Sequence, residues 1–133
     1  MAFIRVGFFE DFKGADTLLL DVDRDGLQSL IAWLRVIMSS GRNTTIGDCP
    51  AAVVQSGLHV EVLGAADDAG LVRISGGHLA WRRSGEGWSE IIDKLTAMEA
   101  GACHQYLDGP RDDLQVMASI GEYGDAWWRR YDG

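Results

Sequence analysis

DVDRDGLQSLIAWLRVIMSSG, residues 21–41, changes period partway along, and that change sets the class of fold. From Leu27 the apolar side chains recur at Leu30, Ile31, Leu34, Ile37 and Met38, which form one stripe on a helix of about 3.6 residues per turn. Asp25 with Gln28 three positions on makes a capping box, and Gly41 makes a C-terminal stop. The first six residues also match the opening of a calcium loop, which needs a bidentate carboxylate at its twelfth position. That position is Ala32, inside the helical stripe. The aspartates are therefore read as a strand end and helix N-cap, where they suit the positive end of the helix dipole.

Outward from this helix the chain reads as short strands. Residues 3–12 and 17–22 are rich in Phe, Ile, Val and Leu and flank the turn KGAD. Residues 42–57 have no clear period, which in a compact domain points to a binding loop or a hidden short strand. LHVEVL (58–63), LVRIS (71–75) and HLAWRR (78–83) follow as strands, the last two joined at Gly76-Gly77 as a two-residue hairpin. That register pairs Val72 with Trp81 and Ile74 with Leu79, with Arg73 and His78 on the other face. A second helix carries Trp88, Ile91, Ile92, Leu95 and Met98 on one side and ends at Gly101. CHQYLD (103–108) and LQVMASI (114–120) then make another hairpin. The order β-β-α-β-β-β-α-β-β lacks βαβ alternation. It predicts one α+β domain over residues 1–133, a mainly antiparallel sheet with two amphipathic helices packed on one face.

Composition excludes several functions. The chain has 133 residues, 47% hydrophobic and 24% charged, with a formal net charge of -8. A surface built for nucleic acid needs an excess of lysine and arginine, so a basic protein partner is the better match. No run reaches the eighteen or so apolar residues of a membrane span, and the chain is read as cytoplasmic and unprocessed. Cys49 and Cys103, the two cysteines, are read as reduced thiols without a metal-ligand spacing. SGEGWSE (84–90) places Glu86 and Glu90 where a dinucleotide phosphate would sit, so it reads as an ordinary strand-to-helix turn. His104 and Asp108 lie about 13 Å apart along a strand, too far for a triad with Ser119. His59, His78 and His104 are too scattered for a usual zinc signature. No cofactor and no metal are expected.

CHQYLD holds the candidate site. Pairing Asp108 with Asp113 sets Leu107 opposite Leu114, Gln105 opposite Val116 and Cys103 opposite Ala118 as the core side. His104, Tyr106, Gln115, Met117 and Ser119 then form a polar opposite face with an aromatic in it, suited to recognition. In the ending DAWWRRYDG, an extended chain would turn Trp127 and Trp128 to opposite sides, one anchoring the tail and the other left available, the alternative being a terminal segment docked wholly on the core with its arginines in water.

GACHQYLDGPRDDLQVMASIGEYGDAWW (101–128), with His104-x-Tyr106-Leu107-Asp108, an acidic turn, an apolar strand, Ser119-x-x-Glu122-Tyr123 and a tryptophan pair, resembles the Immunity protein 32 family of bacterial polymorphic toxin systems. The resemblance implies a small cytoplasmic protein that binds and blocks a cognate toxin without catalysis. An acidic protein can steer a basic toxin domain such as a nuclease, with Asp67, Asp68, Asp112, Asp113 and Glu122 as sources of the field. The expected partner surface is His104, Tyr106, Asp108, Ser119, Glu122, Tyr123 and Trp128. The competing reading is a small enzyme or ligand-binding domain using His104 and Glu122 in a pocket beneath residues 42–57. A homodimer through the same face is a third arrangement.

Overall fold

The computed structural model of the chain describes residues 2–12, 14–41, 43–101, 103–111 and 113–131. Its class is α+β. Strands β1 (Ile4–Phe12) and β2 (Ala15–Val22) form the expected antiparallel pair, followed by helix α1 (Arg24–Ser40). The helix starts ahead of the predicted box: Asp23, not Asp25, is the N-cap, and its carboxylate accepts from the Gly26 N–H at 2.6 Å. At the other end Gly41 takes the left-handed conformation, φ 67°, and donates its N–H to the Ile37 carbonyl. Leu27, Leu30, Ile31, Leu34 and Ile37 are buried as the stripe requires, whereas Met38 reaches the surface.

The segment 42–57 hides two short strands, β3 (Thr44–Thr45) and β4 (Ala52–Val54), joined through a single 3-10 turn at Ile46–Asp48. After it come β5 (His59–Gly64), β6 (Gly70–Ser75), β7 (His78–Arg83), helix α2 (Gly85–Met98), β8 (His104–Arg111), β9 (Leu114–Ile120) and helix α3 (Asp125–Tyr131). These strands make two mixed sheets in place of one: a five-stranded sheet in the order β4-β1-β2-β9-β8 and a four-stranded sheet in the order β3-β5-β7-β6. Their inner faces, with α1 and α2, enclose a single core that includes Leu18, Leu20, Val62, Trp81, Ile91, Leu95 and Val116.

Parallel pairings occur in both sheets: β1 with β4 and β2 with β9 in the five-stranded sheet, and β5 with β7 in the four-stranded sheet. The β6–β7 hairpin also departs from the expected register, since Leu71, not Val72, faces Trp81 and Arg73 faces Leu79. A shift between Arg73 and Ser75 absorbs the difference and extrudes Ile74, which is 53% exposed. One inserted residue moves a side chain to the opposite face of a ribbon.

The outer face of the five-stranded sheet carries α3. The tail is helical where an extended chain was considered, and both tryptophans turn onto one aromatic cluster: the Phe9 ring lies 4.9 Å from Trp127 and 5.6 Å from Trp128. Covered on both sides, β9 is buried from Leu114 to Ser119. Its outward polar residues must then bond within the protein. The parallel register supplies partners, setting Gln115 beside Thr17 and Ser119 beside Asp21. Gln115 Nε2 donates to Thr17 Oγ1 at 2.8 Å, and Ser119 Oγ donates to Asp21 at 2.7 Å. Both cysteines are free thiols; Cys103 is exposed, while burial pushes the Cys49 thiol up to about 12.

Candidate functional site

β8 is an edge strand whose only neighbour in its sheet, among the described residues, is β9. Between His104 and Tyr106 the pairing is regular, with His104 opposite Ser119, Gln105 opposite Ala118 and Tyr106 opposite Met117. This register lies two residues from the expected one. A shift of two preserves the faces, so His104 and Tyr106 still point outward, beyond the border of α3. Their rings meet edge to face with centroids 6.4 Å apart. The Tyr106 residue is 38% exposed. Glu122, in the turn after β9, brings a carboxylate oxygen to 3.4 Å from His104 Nδ1, an ion pair whenever the imidazole is protonated. His104, Tyr106 and Glu122 therefore form one accessible patch.

The other residues expected in the partner surface lie elsewhere. Beyond Tyr106 the pairing slips, and Asp108 comes opposite Val116 instead of near Asp113. The slip turns Asp108 to the core side, where its carboxylate accepts from Trp81 Nε1 at 2.9 Å and meets Arg83 Nη1 at 3.1 Å. Asp108 is a structural acid and offers nothing to a docking partner. Arg83 is itself buried: desolvation works against its charge, but Asp108 and Asp68 more than compensate, so its pKa is raised. Asp68 is also tied down, and the Ser84 backbone N–H chiefly holds its carboxyl below the usual range.

Ser119 and Trp128 are likewise sealed. Both bond to Asp21, Trp128 through its indole N–H at 3.2 Å. Burial raises the pKa of Asp21, against the pull of the Ser119 and Trp128 hydrogen bonds and the charge of Arg5. Tyr123 is half-buried, its ring packed 5.7 Å from Phe12 and 4.6 Å from Trp127. At the start of α3, Asp125 pairs with Arg5, whose hydrogen bond is the main influence lowering the Asp125 pKa. Of the acidic residues offered as a steering field, Asp67, Asp68, Asp113 and Glu122 are exposed, Asp68 while bonded to Ser84 and Arg83, and Asp112 lies outside the described residues.

His104 and Glu122 come together on open surface, and the 42–57 segment stands at the opposite edge of the five-stranded sheet through β4. A cavity of about 420 Å³ does adjoin that segment, lined by Phe3, Arg5, Val53, Gln55, Asp125 and Arg129. Neither His104 nor Glu122 reaches it.

One cluster escaped the reading of the sequence. On the outer face of the four-stranded sheet His59, Glu61 and His78 place their ligand atoms within 4.8 Å of one another. The two histidines looked unrelated along the chain, and only the parallel pairing of β5 with β7 sets His59 directly opposite His78. No family model matches the chain, and no curated protein matches it.

Proposed function

We propose that this protein is a non-enzymatic immunity protein that binds a cognate bacterial toxin domain and neutralises it in the cytoplasm. The observation that carries the reading is the accessible patch of His104, Tyr106 and Glu122 on a strand held in register by β9. A tyrosine and an imidazole offer rigid contact area with a hydrogen-bonding tip, and a strand fixed along one side loses little freedom when a partner docks. The net charge of -8 favours a basic partner, such as a nuclease domain. The C-terminal resemblance to immunity proteins supports the same conclusion. On this reading His104, Tyr106 and Glu122 make the contact; Tyr123 supports them from the half-buried side, while Asp108, Ser119 and Trp128 hold the platform.

Less favours a ligand pocket built on His104 and Glu122, because the two side chains meet outside the cavity beside β1 and β4. A homodimer through the same patch would compete with toxin binding. A sizing column run on the free protein and on the complex separates those two uses of the surface.

Co-expression with the toxin encoded beside this chain provides the test. Growth should be rescued and a stable complex recovered. Tyr106→Ala and His104→Ala should each weaken the complex by about tenfold, equivalent to about 1.4 kcal/mol. Continued killing by the true neighbour overturns the immunity reading, and rescue without any complex overturns occlusion as its mechanism.

A further inference from the structure

We propose that His59, Glu61 and His78 form a binding site for one divalent transition-metal ion, of the zinc class, on the outer face of the four-stranded sheet. The site is separate from the His104 patch and does not depend on the function proposed for that patch. Alternation along β5 turns Val60 and Val62 into the core, so His59 and Glu61 share the outward face. His78 begins β7 and, in the parallel register, stands beside His59. Its ring lies 4.8 Å from that of His59, edge to face, and its Nε2 is 2.9 Å from Glu61 Oε2. Three potential donors of two chemical kinds thus converge from two paired strands.

The spacing suits a metal. A tetrahedral ion with ligand bonds of about 2.0–2.2 Å has its ligand atoms about 3.4 Å apart. The cluster spans from 2.9 Å up to 4.8 Å, so closure asks the widest pair to move by about 1.4 Å. Half-exposed side chains on a fixed backbone can make that adjustment by rotation. The His78–Glu61 contact already holds two of the three together.

Donor chemistry selects the class of ion. Two imidazoles and a carboxylate suit zinc, cobalt, nickel or copper, whereas magnesium and calcium prefer all-oxygen sites. Three protein ligands leave a coordination position for water, so the bound ion would be open to solvent on this face.

The test uses the full chain without an affinity tag. Titration with Zn²⁺ by calorimetry and with Co²⁺ by its visible spectrum should each saturate at one equivalent. His59→Ala and His78→Ala should each weaken binding by at least about tenfold, Glu61→Gln should weaken it, and His104→Ala should leave it unchanged. Mg²⁺ and Ca²⁺ should not compete. In the unmutated protein, substoichiometric Ni²⁺ should broaden the ring protons of His59 and His78 and spare those of His104, a readout that does not require any variant to fold. Absence of saturable Zn²⁺ and Co²⁺ binding overturns the proposal. So does binding that persists undiminished in folded His59→Ala and His78→Ala proteins, or broadening centred on His104.

Discussion

At the scale of single residues, two carboxylates, Asp21 and Asp108, are buried and carry specific hydrogen bonds. Asp21 has a pKa above the ordinary 3.8 because burial penalises its charge. The folded protein therefore holds this proton more tightly than the unfolded chain does. Where the folded state binds more protons, stability falls as pH rises, so the Asp21 contribution should decline as pH climbs from about 3.8 through the raised native value. Asp21→Asn removes this titration, and the stability gap between wild type and Asp21→Asn, read from urea unfolding across that window, should shift against wild type as pH rises. A constant gap would dismiss the effect. Asp21→Ala instead strands Ser119 Oγ and Trp128 Nε1 without their acceptor and should cost about 2–3 kcal/mol. Asp108 plays the opposite part, since it neutralises a buried cation. Asp108→Ala leaves Arg83 short of its most buried partner and takes the acceptor from Trp81, for an expected loss of about 3 kcal/mol by chemical denaturation; a loss under about 1 kcal/mol would mean Asp68 and Glu90 suffice to hold the guanidinium.

At the scale of elements, α3 explains why the outward face of the sheet is not the surface it promised to be. Seven residues are too few for an independent helix, so its order comes from docking Trp127 and Trp128 onto Phe9, Leu19 and Met117. Trp128→Ala should cost about 3–5 kcal/mol and make the C-terminal segment the first site of proteolysis. Gly7 gives the same prediction from the other side. A Cβ there would come 2.6 Å from the Phe9 ring and 2.8 Å from the Trp128 ring, so Gly7→Val should loosen α3 while leaving the secondary structure elsewhere in place. Protease resistance equal to that of the wild type in both variants would show that the helix is not held by these rings. The β8 strand teaches a related lesson. Parity of the pairing put His104 and Tyr106 outward despite a misplaced register, but the slip after Tyr106 reversed Asp108, and no residue type in CHQYLD announces that slip.

At the scale of the whole molecule, charge acts over distances that no single contact covers. On the proposed function, a net charge of -8 should accelerate encounter with a basic toxin domain and do so less as salt screens it. The association rate, measured by stopped flow, should fall markedly from low to high ionic strength while the dissociation rate changes little. A rate indifferent to salt would remove steering from the account.

Helices α1 and α2, the strand segments outside residues 42–57 and the outward turn of His104 and Tyr106 were determined by the sequence, because periodicity and capping depend on neighbours within a few residues. The two sheets, the burial of Ser119 and Trp128, the Asp108–Arg83 pair and the meeting of His59 with His78 were decided by tertiary structure alone. Each depends on which distant strand lies alongside, as β9 does beside β2 and β7 beside β5. Parallel pairing leaves no turn signature in the chain, since its partners are joined through long crossovers and selected by the core they jointly bury.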